Sequence, residues 1–183
     1  MFVDGENIAM RYQAMVAEGW VAKKDITHIQ DIFVWHPDMT QWTMLDIVRV
    51  NYYTSATGDA QRINSLKRQI ANVQYEYDYS ADKEVEAAWG QIVPKVFHKV
   101  TKSRKTRNVD INIVIDVMRT AYLRDCDLIY IVSGDGDYLP LIDEVGRLGR
   151  ETYVSAFTSG LNEFIVSSVD SFQPLDELFF EKR

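Results

Sequence analysis

The sequence predicts an α/β fold: three layers, α/β/α, built on a mainly parallel central sheet. Two observations carry this. Short runs rich in β-branched and aromatic residues alternate along the chain with segments of helical periodicity, the pattern of strand–helix–strand units. One run, Leu128–Val132 (LIYIV), is almost continuously apolar, as expected of a central parallel strand covered on both faces. Composition agrees. The 183 residues are 46% hydrophobic and 26% charged, which excludes a disordered or fibrous chain and suffices for a sizeable core in one domain, 1–183.

The elements follow in order. Met1–Val3 reads as a strand, and Asn7 as the N-cap of a helix over Ile8–Glu18, with Ile8, Tyr12, Met15 and Val16 on one side and Gly19 as its stop. Residues 20–46 form an expected accessory insertion, a hairpin or partner surface, with Ile32–Trp35 its strand-like part and His36-Pro37-Asp38 a turn. Ile47–Thr54 is a strand and Ser55–Asp59 a loop. Asp59–Asn72 is a helix with Ile63, Leu66, Lys67 and Ile70 along it. Tyr75–Tyr79 and Asp82–Glu86 are polar and undecided. Gln91–Val100 is an edge strand, because Pro94 cannot donate to a ladder. Val109–Arg124 is a helix with Ile111, Ile115, Met118 and Tyr122 as its apolar stripe. After Leu128–Val132 come a helix at Asp137–Leu148 stopped by Gly149, a strand at Thr152–Ala156, a helix at Leu161–Val169 and a short strand at Phe172–Leu175.

Several function classes fall away. The lone Cys126 excludes an intrachain disulfide and a cysteine zinc cage. His28, His36 and His98 fit neither a histidine-rich metal site nor a Ser/His/Asp or Cys/His arrangement for acyl transfer. No apolar run approaches the ~18 residues of a spanning helix, and a strand-like segment at Met1 argues against a signal peptide. The expectation is a cytoplasmic protein without a membrane partner.

In parallel sheets, sites form at the carboxyl ends of the strands. Four acids fall there: Asp4 after the first strand, Asp110 opening the helix that follows the Gln91–Val100 strand, and Asp135 and Asp137 in Ser133-Gly134-Asp135-Gly136-Asp137. Each alone reads as a helix cap or a tight turn. Together at one rim they repel unless a cation lies between them, and oxygen-only ligands suit Mg²⁺ or Mn²⁺. Such an ion is the equipment for phosphodiester hydrolysis. Asp116 lies six residues past Asp110, ~9 Å along the helix and turned by roughly 120°, so it is expected to be structural.

Lys95, Lys99, Lys102, Arg104, Lys105 and Arg107 fall within thirteen acid-free residues leading into Asp110, and without them the net charge falls from −7 to −13. A basic approach beside an acidic site attracts phosphates, and Lys99, Lys102, Arg104, Lys105 and Arg107 are the expected phosphate contacts. Solvation alone would also explain such a run. Tyr52, Tyr53 and Tyr138 are candidates for base stacking, with Tyr52 or Tyr53 also read as core because the two point to opposite faces of a strand.

The motifs Val3-Asp4-Gly5-Glu6-Asn7, Val109-Asp110-Ile111 and Val132-Ser133-Gly134-Asp135-Gly136-Asp137-Tyr138, in that order, resemble those of the NYN domain family of the PIN-like nucleases. The resemblance extends to Pro140-Leu141, Gly149 and Ser159-Gly160-Leu161-Asn162, and omits 20–46 and 73–90. It implies a PIN-like, metal-dependent ribonuclease acting on single-stranded or structured RNA. Asp4, Asp110, Asp135 and Asp137 would be its catalytic metal ligands, with Asn7 and Ser133 orienting carboxylates or water. Where the family often has Lys-Gly before its middle aspartate, Arg107-Asn108 stands here. Two alternatives stay open: a non-catalytic RNA-binding or protein-interaction module of the same fold, and a Toprim-type phosphotransfer site, which prefers a glutamate where Asp4 stands. A homodimer also stays open.

Overall fold

The computed structural model describes residues 1–41, 43, 45–77, 88–100, 107–123 and 126–181. Along the chain, β1 (Phe2–Asp4) runs directly into α1 (Gly5–Ala17), followed by a hairpin of β2 (Thr27–Ile29) and β3 (Phe33–Trp35) and a one-turn helix α2 (Asp38–Gln41). Next come β4 (Asn51–Ala56), α3 (Ala60–Ala71), a second antiparallel pair β5 (Gln74–Tyr77) and β6 (Ala88–Gln91), and β7 (Val93–His98). Then follow α4 (Asn108–Leu123), β8 (Leu128–Val132), a 3₁₀ turn (Gly136–Tyr138), α5 (Leu139–Arg147) and β9 (Glu151–Ala156). The chain closes with α6 (Glu163–Ser168), β10 (Ser171–Pro174) and α7 (Asp176–Phe179).

The central sheet has six strands in the order β10-β9-β8-β1-β4-β7, every neighbouring pair parallel. The chain builds outward from β1 through β4 to β7, then returns and builds the other way from β8. The direction therefore reverses between β1 and β8, the switch point where doubly wound sheets open a crevice. Strand alternation divides the core. Val3, Tyr52, Tyr130 and Val132 face a layer that includes α1, α3 and the β2–β3 hairpin. Phe2, Tyr53, Ile129 and Ile131 face α4, α5 and Ile165 of α6. Three layers result, as the sequence predicts.

The differences are local and physical. The helix after β1 starts earlier than expected: Asp4, not Asn7, is its N-cap, accepting the Asn7 backbone N–H at 3.1 Å. Val16 faces solvent rather than the core. In α4 the buried stripe is Val109, Ile113, Val117 and Ala121, whereas Ile111, Ile115 and Tyr122 are exposed. The helix carries two apolar stripes, and periodicity alone does not say which one packs. Pro94 does lie on the sheet edge, but Gln91 belongs to β6 and the strand ends at His98. The expected loop at Ser55 begins only after Ala56. The β2–β3 hairpin is no appendage, since Phe33, Val34 and Trp35 are fully buried in the first core layer. Tyr52, Tyr53 and Tyr138 are buried, which removes all three as base-stacking platforms. The reading at Asp82–Glu86 lies outside the described residues. Among those described, no helix is long and apolar enough to cross a membrane.

Candidate functional site

A cleft of about 1150 Å³ opens over the β1/β8 switch point. Asp4 lies at its floor because β1 ends and α1 begins without an intervening loop. That junction requires Gly5: a Cβ there would fall into the Tyr52 ring and 2.7 Å from the Tyr53 carbonyl oxygen. Asp4 is 3% exposed. Its Oδ1 accepts from the Asn7 N–H, and its Oδ2 accepts from the Ser133 hydroxyl at 3.0 Å and the Tyr138 hydroxyl at 3.3 Å. All three donors are neutral. Burial pushes the Asp4 carboxyl up to about 7, the helix-capping bond from Asn7 opposes this, and the like charges of Asp110 and Glu6 add to the rise.

Asp110 enters from the first turn of α4 and lines the cleft. The Tyr138 hydroxyl lies 3.4 Å from its Oδ1, so one phenolic proton serves two acids. Burial, then the two carboxylates, push the Tyr138 pKa far up, which keeps this donor protonated. Asp135 also lines the cleft. Its N–H donates to Ser133 Oγ at 3.2 Å, so Ser133 ties Asp135 to Asp4. Asn7 Oδ1 accepts from the Gly134 N–H at 3.2 Å, a second strap between α1 and the loop after β8.

The structure thus brings Asp4, Asp110 and Asp135 into one cleft, with Asn7 and Ser133 holding them in register. Asp137 is not brought with them. It is exposed, lies outside the cleft lining, and its N–H is capped by Asp135 Oδ1 at 3.1 Å. Among the described residues no three His, Cys, Asp or Glu side chains are gathered closely enough to form a ready metal cage. Asp116 stands apart, as its helical offset implies: it accepts from the Tyr53 hydroxyl at 2.8 Å and pairs with Arg119 at 3.3 Å.

Of the basic segment, Lys99 lines the cleft and pairs with Glu6 Oε1 at 3.3 Å, and the Ser55 hydroxyl donates to the same oxygen. Arg107 is exposed just before α4. Lys102, Arg104 and Lys105 lie outside the described residues. Sequence reasoning missed Tyr138 as a donor shared by Asp4 and Asp110, Glu6 as the partner of Lys99, and, in the cleft lining, Arg11 and the hairpin tip at Gln30, Asp31 and Ile32. Only Tyr138 had a signal, its place directly after the Asp-Gly-Asp run.

The sequence pattern of the NYN domain matches residues 1–176. The chain belongs to the NYN domain family. NYN domains have a PIN-like, nuclease-type fold. No curated protein matches this one. Among solved structures, it is similar to the crystal structure of VPA0982, a protein of unknown function from Vibrio parahaemolyticus, at 15% identity and a TM-score of 0.55. That match covers 98% of this NYN chain and 93% of the other, and at such low identity it supports the fold alone.

Proposed function

We propose that this NYN domain is a metal-dependent ribonuclease, a cytoplasmic enzyme that cuts single-stranded RNA endonucleolytically by hydrolysing phosphodiesters. The observation that carries the reading is Asp4: a buried carboxylate on the cleft floor, with neutral donors only and with Asp110 and Glu6 as like-charged neighbours. Such a group is costly unless a cation joins it. The donor set is all oxygen and fits Mg²⁺ or Mn²⁺, with Asp4, Asp110 and Asp135 as the residues that would hold the ion. An ion bound there supplies Lewis acidity and an acidified water.

The chain's own residues do the rest. Ser133 and Tyr138 donate to Asp4 Oδ2 and fix that carboxyl, while Tyr138 shares its proton with Asp110. Asn7 locks the Gly134 backbone, which fixes the approach of Asp135. Asp137 serves the turn rather than the ion. Lys99 and, with it, Lys102, Arg104, Lys105 and Arg107 draw phosphates toward Asp110.

The test is cleavage of a labelled single-stranded RNA with and without Mn²⁺ or Mg²⁺. Chelation should abolish cleavage, and Asp4→Asn or Asp135→Asn should lower turnover by orders of magnitude, because each removes charge that holds the ion. Cleavage that survives chelation, or wild-type rates in Asp135→Asn, would refute the metal mechanism. RNA binding without any cleavage would leave the non-catalytic module.

A further inference from the structure

Three cations line the cleft among the described residues: Lys99, Arg62 and Arg11. Lys99 is held by Glu6, and Arg62 is exposed on α3. Arg11 differs from both. Its Nε is buried without a hydrogen-bond partner, and its guanidinium makes no ion pair among the described residues. Buried polar nitrogens are almost always bonded, so the unsatisfied Nε–H marks a guanidinium beside the cleft with hydrogen-bonding capacity to spare.

Its seat is built for it. Arg11 lies one helical turn beyond Asn7 on the same face of α1, so it extends the wall that begins at the Asn7–Gly134 strap. The guanidinium lies against Gly160 in the loop after β9, where a Cβ would fall on its central carbon. Gly160 has φ +70, a conformation that also favours glycine. Arg11 therefore stands on the β9 side of the carboxylates, while Lys99, after β7, and Arg62, on α3, stand on the β4/β7 side.

We propose that Arg11 binds a backbone phosphate of single-stranded nucleic acid, one removed from the scissile bond, so that the strand crosses the sheet edge from β7 over Asp4 toward β9. The inference deepens the ribonuclease reading of the cleft and rests on it for the identity of the strand. The planar fork of arginine suits two phosphate oxygens, and no carboxylate among the described residues forms an ion pair with it. Arg11 is a positioning residue. It binds the strand equally before and during cleavage, so its loss acts on KM rather than kcat.

The experiment measures binding of a labelled single-stranded RNA of about 12 nucleotides in chelator, across a salt series, for wild type, Arg11→Ala, Arg11→Lys and the exposed control Arg147→Ala. Melting curves verify folding, and Arg11→Lys keeps the aliphatic stem should Arg11→Ala fail to fold. The expected result is about tenfold or greater weakening in Arg11→Ala, the scale of one charge-assisted hydrogen bond. The slope of log affinity against log salt should shallow by roughly 0.7. Arg11→Lys should keep the slope but not the full affinity, since it keeps the charge and loses the fork. Arg147→Ala should bind as wild type. Folded Arg11 variants with wild-type affinity and slope would overturn the inference even if Mn²⁺-dependent cleavage needs Asp4 and Asp135. Weakened binding by Arg11→Ala without any metal-dependent cleavage would uphold Arg11 and overturn the ribonuclease reading. A wild type that binds no RNA in chelator yet cleaves it with Mn²⁺ would overturn the Arg11 inference alone, and one that neither binds nor cleaves would overturn both.

Discussion

Replacing Asp4 by Asn in the metal-free protein should stabilise it at neutral pH. The Asp4 carboxyl sits at about 7, against an ordinary value of 3.8. The folded state thus holds this proton far more tightly than the unfolded chain does. A raised carboxyl contributes stability that is fully present below about pH 4 and is lost as pH rises through about 7. A rise of about three pH units, at 1.36 kcal/mol each, sets the scale of that loss at about 4 kcal/mol. For a chain of this size that corresponds to ~8–16 °C in melting temperature. Asn removes the charge and keeps the Oδ1 acceptor that caps α1, while the Ser133 and Tyr138 hydroxyls can turn to accept from its amide. The assay is thermal or urea unfolding in chelator from pH 4.5 to 8.5. Wild type should lose stability between about pH 4 and 7 and level off above, the variant should not, and the two curves should diverge across that interval. Added Mn²⁺ should rescue wild type alone, by ~2.7 kcal/mol at a hundredfold excess over its dissociation constant. Parallel curves, or an Asn variant that melts below wild type at pH 8, would show that Asp4 is held by its hydrogen bonds rather than strained by its charge.

Asp116→Asn should retain most of the cleavage activity and cost about 1 kcal/mol of stability through the weakened Tyr53 bond, read by urea unfolding. Replacing Lys99, Lys102, Arg104, Lys105 and Arg107 by Gln should shallow the salt dependence of RNA binding by roughly 0.7 for each phosphate no longer neutralised, with turnover at saturating RNA changed less. Phe33→Ala should cost about 3–5 kcal/mol, because the side chain is fully buried. A near-zero cost would mean that the hairpin is an appendage after all.

The sheet was legible because its central strands are short apolar runs with clear stops. Leu128–Val132, read from its almost continuous apolar run, is the strand observed, and the strand expected at Thr152–Ala156 starts one residue earlier, at Glu151. What remained hidden depends on partners distant in sequence. The two apolar stripes of α4 are equally good helical faces, and only the sheet beneath selects Val109, Ile113, Val117 and Ala121. Asn7 looks like a cap, but the cap is Asp4, earlier than a helix signal alone suggests when a strand ends and a helix begins at the same peptide. In the site, Asp4 and Asp135 were readable from local motifs. The separation of Asp135 from Asp137 was not, because it turns on a 3₁₀ turn that directs one acid inward and leaves its neighbour in solvent. Arg11 was unreadable, since its only distinction is its seat against Gly160, near the other end of the chain.

A net charge of −7 would by itself oppose nucleic acid, yet the distances involved make the total a poor guide. At physiological ionic strength the screening length is ~8 Å, so a phosphate in the cleft senses the walls and floor far more than the remote surface. The acids Asp4, Asp110 and Asp135 all line the cleft, where an ion would offset their charge, and Arg11 and Arg62 line it too. Lys99 adds less than its charge suggests, because Glu6 already holds it. On the proposed function, metal and strand would reinforce each other: an ion held by these acids would remove the repulsion that a phosphate would otherwise meet above Asp4. Metal-free protein should accordingly bind RNA through its walls alone, which is why the affinity of Arg11 variants in chelator isolates the strand path from the chemistry.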